Sequence, residues 1–161
     1  MSSRLGLSAE ASEVKVDTNL HSVVLEKFSL GERIEYVICD EAQFYSVAQI
    51  EQLAQIVDGL GIDVFAFGIL SDFRTALFPG SQRLVELADK VATLPVEALC
   101  FCGAKATHNA RVVDGVMVTE GEQVYVGDTQ EADNPIEASV VSYEVLCRKH
   151  HLGKQLSHKA K

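Results

Sequence analysis

Two groups of side chains in this sequence are of types that do chemistry and are spaced to act together. The first is Asp40-Glu41, two adjacent carboxylates that follow the apolar run Tyr36-Val37-Ile38-Cys39. A buried parallel strand that stops at a pair of acids puts both at its carboxyl end, the rim where open α/β sheets bind ligands. Successive strand side chains point to opposite sides, so the two acids are expected to do different jobs, one holding a metal and the other a proton. The dipeptide alone favours the plainer reading, a loop start or a helix cap. The second group is Cys100, Cys102, Cys147 and His150, a C-x-C pair followed at a distance by C-x-x-H. Zinc takes four sulfur or nitrogen ligands in a tetrahedron, and two short pairs on facing hairpins supply them. Three of the four cysteines of the chain fall in this pattern. Four protein ligands close the coordination sphere, so such a zinc is expected to be structural. His151 is a rival to His150 as fourth ligand. Cys39, inside the apolar run, reads as a small hydrophobe, and His21, His108 and His158 form no constellation.

The totals bound what these residues can serve. The chain has 161 residues, 47% of them hydrophobic and 23% charged, as for an ordinary globular protein with one core and a small appendage. Its net charge of -9 argues against coating a nucleic-acid polymer or an anionic membrane. It leaves room for a small anionic substrate at a local positive site. No apolar run is long enough for a membrane span, and Met1 to Leu7 lacks the apolar core of a secretory signal. The expected compartment is the cytoplasm, where cysteines serve metals or chemistry before disulfides.

The elements that must hold these groups can be read in order. A helix is expected from Asp17-Thr18-Asn19, capped by Asp17 or Thr18, with Leu20, Val23, Val24 and Phe28 inward and Gly31 at its end. The acid-tipped strand follows. Ser46-Val47-Ala48-Gln49 is a capping box for a helix that runs to Gly59-Leu60-Gly61. Asp63 to Ile69 reads as a second buried strand, so the two strands and their helix make a βαβ unit. The loop Leu70 to Gly80 carries Phe73, Arg74 and Phe78. Phe73 is either a core plug or a platform for a flat ring. Ser81 is expected to cap a short helix with Leu84, Val85, Leu87 and Ala88 inward, and Val91 to Leu99 to form a third strand. From Cys100 the chain turns β-rich. Arg111 to Val118 reads as a hairpin turning at Asp114-Gly115, and Gln123 to Val126 as a short strand. A long polar loop then leads to Tyr143 and Cys147. The expected division is a core at residues 1–97, a metal-bearing unit at 98–150 and a disordered tail at 151–161.

The order and spacing of Asp40-Glu41-Ala42-Gln43-Phe44, of Gly68 through Phe78, of the cysteine pairs and of Tyr143 four residues before Cys147 resemble the zinc-containing bacterial type II thymidine kinase family. The resemblance runs from about Ser3 to His150. It implies a parallel sheet of the P-loop NTPase, RecA-like kind, followed by a small zinc-binding lasso domain. It also implies transfer of the γ-phosphoryl group of Mg-ATP to the 5′-hydroxyl of thymidine. Carried over by position, Glu41 is the general base, Asp40 holds Mg²⁺ through water, and Ala42 and Gln43 lie near the nucleotide. Phe73 packs on thymine, Leu70 and Phe78 wall the pocket, and Arg74 lies near the phosphates. Gln123, Val124, Tyr125, Val126 and Gly127 offer backbone groups to the base edge, and Tyr143 closes over the nucleoside. The resemblance further implies a homotetramer.

The family begins with a strand and a phosphate-binding loop, G-x-x-x-x-G-K-S/T. These 161 residues hold no such motif; their one Gly-Lys pair, Gly153-Lys154, is followed by Gln155. The expectation is a thymidine kinase truncated at its front. The alternatives are a non-catalytic remnant that binds a nucleoside or a partner, and a zinc-ribbon interaction module.

Overall fold

In the computed structural model, residues 10–95, 97–123 and 140–157 are described. They form a parallel two-stranded sheet with helices, then an antiparallel three-stranded sheet. Helix α1 (Leu20–Ser29) is capped not by Asp17 or Thr18 but by Asn19, whose side chain accepts from the Ser22 amide at 2.8 Å. The Thr18 hydroxyl is taken by the Lys15 amide instead. Leu20 and Val24 turn inward, while Phe28 is half-exposed.

Strands β1 (Tyr36–Cys39) and β2 (Asp63–Ala66) pair in parallel, from Tyr36 opposite Asp63 to Cys39 opposite Ala66. Helix α2 (Val47–Leu60) connects them and begins with the expected capping box of Ser46 and Gln49. It ends at Gly61, whose φ of 66° suits a residue without Cβ. Ile50, Leu53 and Ile56 of this helix close over Leu20, Val24, Cys39, Ala42 and Ile62 to make the first core. The sheet is not buried on both faces, as the apolar runs suggested. Val37, Cys39 and Val64 face the helices. Tyr36, Ile38 and Phe65, which point the other way, are 55%, 61% and 50% exposed. A strand alternates its side chains, so a layer on one face covers only every second residue.

Three further expectations give way after β2. Helix α3 (Pro79–Leu87) starts at Phe78 with Pro79 in its first turn, so Ser81 is not the cap. Ser81 is buried, and its hydroxyl donates to the Ile69 carbonyl at 2.7 Å. Of the four apolar residues expected inward, Leu84 reaches the first core, whereas Val85 and Leu87 are exposed. Val91 to Leu99 is not a strand in its described residues. Its one ladder contact is a bridge between Leu99 and Lys105, and Val91, Leu94 and Leu99 are exposed. Apolar residues without a neighbouring strand to pair with do not make one.

The second sheet has the order β4-β3-β5, from β3 (His108–Val113), β4 (Val116–Val118) and β5 (Val141–Leu146). The β3–β4 hairpin turns at Asp114 and Gly115, with φ of 50° and 77°, as the Asp-Gly pair predicts. Gln123 lies in a bend, and the rest of the expected strand, Val124 to Val126, falls outside the described residues. Helix α4 (Arg148–Leu152) follows β5. The segment from His151 to Ser157 is not a free tail. Leu156 is wholly buried with Cys100, Ala110, Val112, Met117 and Leu146 in a second core, and His151 is buried as well. Leu156 and His151 together anchor this otherwise polar stretch.

Gln49 joins the first helices through both ends of its amide. Its oxygen accepts from the Ser46 amide at 3.0 Å, and its nitrogen donates to the Lys15 and Thr18 carbonyls at 2.8 and 3.0 Å. Gln49→Leu keeps the bulk and removes these three part-buried bonds. Urea unfolding should show a loss of about 1–3 kcal/mol, and an unchanged midpoint would remove Gln49 from this role.

Candidate functional site

The two acids lie just beyond the end of β1, and strand alternation does not govern them. Glu41 sits in the left-handed region, with φ 50° and ψ 36°. Such a conformation is uncommon outside glycine, and residues held in it cluster at functional sites. Asp40 accepts the Glu41 amide on Oδ1 at 3.0 Å. The Gln43 side-chain amide donates to the Glu41 carboxylate. Both acids are exposed, whereas Ala42 and Gln43 are buried.

Close backbone packing fixes this corner. Ala42 to Phe44 form one 3-10 turn. The Ala42 amide donates to the Phe67 carbonyl at 2.9 Å, and the Phe67 amide donates to the Cys39 carbonyl at 2.8 Å. Gln43 accepts the Ile69 amide at 3.3 Å. A Cβ at Gly68 would collide with the Gln43 side chain. One at Gly80 would collide with the Tyr45 carbonyl oxygen and stand 2.9 and 3.0 Å from those of Gln43 and Ala42. Glycine at these two positions lets the end of β2 and the start of α3 press against the acid-bearing turn. Behind the turn, Tyr45 is pushed up to about 12 by burial and then by its neighbours Cys39 and Asp40. Burial also raises the Cys39 thiol, consistent with its reading as a small hydrophobe.

From this corner, contacts lead to the apolar residues expected at the site. The Phe44 and Phe78 rings meet edge to face at 5.6 Å. The Phe78 amide donates to the Leu70 carbonyl at 3.1 Å, and Leu70 itself is exposed. Phe73 is a different case. It is 2% exposed, and the Arg111 guanidinium carbon lies 3.9 Å from its ring centroid. Its face is therefore occupied, and Phe73 is a buried wall and not an open platform. Tyr143 is exposed, and its hydroxyl accepts from Arg111 Nε at 3.0 Å. Gln123 donates to Asp72 Oδ2 at 3.1 Å. Val124, Tyr125, Val126 and Gly127 fall outside the described residues. Arg74, expected near phosphates, pairs with the buried Asp72 at 2.8 Å and donates to the Gly121 carbonyl at 3.1 Å.

Asp72 and Arg111 were not singled out from the sequence. Asp72 organises a tight loop, accepting the Arg74 and Ala76 amides at 2.8 and 2.9 Å. An Asp followed closely by residues whose amides it can bind is the one local signal for it. Burial pushes its carboxyl up, but the Arg74 side chain and the Ala76 and Arg74 amides outweigh burial and hold it below the usual range. A depressed carboxyl contributes stability above the unfolded value near 4 and loses it as pH falls through the folded value. Asp72→Asn should therefore be less stable than the parent at neutral pH, with the gap narrowing as pH falls below about 4. A gap that stays constant with pH in thermal melts would contradict this.

The four expected metal ligands converge. The ligating atoms of Cys100, Cys102, Cys147 and His150 all lie within 4.8 Å of one another. His150 Nδ1 stands 3.3 Å from the Cys100 sulfur and 3.5 Å from that of Cys147, and the Cys102 and Cys147 sulfurs are 4.0 Å apart. Tetrahedral zinc bonded to sulfur and nitrogen requires separations of about 3.8 Å between sulfurs and about 3.5 Å from sulfur to nitrogen. The residues present thus fit a metal such as zinc. Burial opposes ionisation of Cys100, but the Cys102 and Cys147 amides and the His150 ring bring it down to about 6. At Cys102 the pull of the Ala104 amide is outweighed by burial and by the neighbouring sulfurs, which push the thiol up. A divalent cation would relieve that repulsion. His151 turns the other way. Its Nε2 donates to the Phe73 carbonyl at 3.0 Å and lies 3.2 Å from that of Asn109. His150→Ala and Cys147→Ser should each release bound zinc on chelator challenge, whereas His151→Ala should retain it. Zinc retained by Cys147→Ser would show the ligand set to be wrong.

Among the described residues, no helix is long and apolar enough to cross a membrane. The chain matches the thymidine kinase family over residues 1–151. A thymidine kinase of Streptomyces avermitilis is 58% identical over 151 residues, covering 94% of this chain and 68% of the relative. One from Cutibacterium acnes is also 58% identical, covering 94% and 67%. One from Legionella pneumophila is 39% identical, covering 92% and 66%. With the acid-bearing turn, the aromatic wall and the Cys3His cluster in the expected places along the sequence, the chain belongs to the thymidine kinase family.

Proposed function

We propose that this chain carries the nucleoside-side and base-side groups of an ATP-dependent thymidine kinase, which transfers the γ-phosphoryl group to the 5′-hydroxyl of thymidine. The observation that carries this reading is the acid pair after β1, with Glu41 held by Gln43 in a left-handed conformation. Phosphoryl transfer asks the protein for positioning and charge stabilisation more than covalent chemistry. Glu41 takes the proton of the 5′-hydroxyl as the oxygen attacks. Asp40 holds Mg²⁺ of Mg-ATP through water. Gln43 keeps the Glu41 carboxylate aimed, and Ala42 presses the turn against the sheet.

On the nucleoside side, Leu70 and Tyr143 supply exposed apolar surface and Phe73 and Phe78 stand behind it. A flat base is held well by apolar walls with a few polar groups at its edge. Gln123 to Gly127 are proposed to give those polar groups. Arg74, engaged by Asp72, acts on the loop and not directly on phosphate. The cradle for the phosphates is assigned to a segment outside these 161 residues, within a P-loop, RecA-like sheet that β1 and β2 would extend. Zinc in the Cys3His cluster is structural, clamping the two ends of the 98–150 lasso unit. A cytoplasmic homotetramer is the assembly proposed for the whole protein.

The test uses the protein with the phosphate-loop segment placed ahead of this chain. Glu41→Gln should lower turnover by about 100-fold or more, while thymidine binding by calorimetry stays near that of the parent. Full turnover in that variant would remove Glu41 from the role of base. Zinc-loaded protein that binds no thymidine would favour the interaction-module alternative.

A further inference from the structure

We propose that Arg111 is a positioning residue for the nucleoside site. Its guanidinium locks Phe73 and both stems of the 123–140 connection into one frame, and the geometry of its fork, not its charge, sustains thymidine affinity. The ligand in this inference rests on the function proposed above; the frame does not.

Arg111 stands in β3 directly opposite Tyr143 in β5 and is 4% exposed. Among the described residues, its partners come from three separate stretches. The face of the guanidinium lies over the Phe73 ring, from the loop after β2, at 3.9 Å. Two in-plane nitrogens reach the outgoing stem, where Nη1 donates to the Glu122 carbonyl at 2.7 Å and Nη2 to the Gln123 carbonyl at 3.0 Å. The third, Nε, donates to the Tyr143 hydroxyl on the returning stem at 3.0 Å. The frame closes on its far side through Asp72. Gln123 donates to Asp72 Oδ2 and to the Leu77 carbonyl, and Arg74 joins Asp72 to the Gly121 carbonyl.

A planar cation with in-plane donors can stack on a ring and bond three oxygens at the same time. An ammonium of equal charge cannot. The Tyr143 oxygen is used as an acceptor, so its own proton remains available to a further acceptor. Arg111 thus sets the place and the donor direction of Tyr143, an exposed aromatic at the site, together with the seat of Phe73.

The experiment compares the zinc-loaded 161-residue chain with Arg111→Lys and Arg111→Met. Zinc content, amide hydrogen exchange at residues 121–123 and 141–143, and thymidine affinity by calorimetry are read on each. The expected result for Arg111→Lys is unchanged zinc, faster exchange at both stems, and thymidine affinity lower by about tenfold or more. If Arg111→Met does not fold, the lysine variant alone decides. Unchanged exchange at the stems would overturn the frame. Faster exchange with unchanged affinity would overturn the link to the ligand. A parent chain that binds no thymidine would overturn the ligand claim and the nucleoside reading with it, while the exchange data still decide whether Arg111 holds the stems.

Discussion

The backbone carbonyl of Phe73 ties the loop after β2 to the antiparallel unit. His151 donates to it from α4, and the ring of the same residue is covered by Arg111 from β3. The first core holds the loop at its ends, through β2 before it and Leu84 of α3 after it, and the antiparallel unit reaches its middle. The next residue along the chain, Arg74, extends the tie through Asp72. A histidine buried by its neighbours and bonded to a carbonyl has little freedom. Adjacent His150 points its Nδ1 into the sulfur cluster. Two consecutive histidines therefore connect the candidate metal centre to the aromatic wall within one turn of α4.

The same economy holds at the acid corner. Gly68 and Gly80 permit backbone approaches that no side chain would allow, and the carbonyls of the 3-10 turn lie directly against α3. The candidate base is thereby mounted on backbone packing and not on a flexible loop. The amide of Gln43, buried beside it, is shared between the Glu41 carboxylate and the Ile69 amide. Both ends of that side chain are used, as are both ends of Gln49 one helix further on. Buried amides in this chain act as two-ended struts.

Much of this was legible in the sequence where the signal was local. The capping box at Ser46, the Asp-Gly hairpin turn and the C-x-C and C-x-x-H pairs each depend on residues a few positions apart, and each formed. What escaped depends on residues far apart in the chain. Val91 to Leu99 has the composition of a strand but, among the described residues, ladders only through the bridge from Leu99 to Lys105. Leu156 looks like part of a polar tail until a distant core claims it. Arg111 sits in a run whose buried positions fall on consecutive residues, so periodicity gave no hint that an arginine was enclosed. The sequence is compatible with Phe73 as plug or platform, and the guanidinium over its buried ring decides between them. His150 and His151 were indistinguishable by spacing, because a helix of one and a half turns sends neighbours in different directions.

The left-handed backbone at Glu41 sets folding against the proposed chemistry at one position. Glycine would adopt a φ of 50° without the penalty a side chain carries there, and Asn or Asp would tolerate it better than Glu. Drift under selection for stability alone would therefore move position 41 away from the residue it has. A library screened only for solubility or thermal resistance should enrich small residues there, and the survivors would be well-folded proteins without the candidate base. With Glu41 as the proposed base, selection for turnover would pull the other way, which makes this position a place to see the two pressures separate.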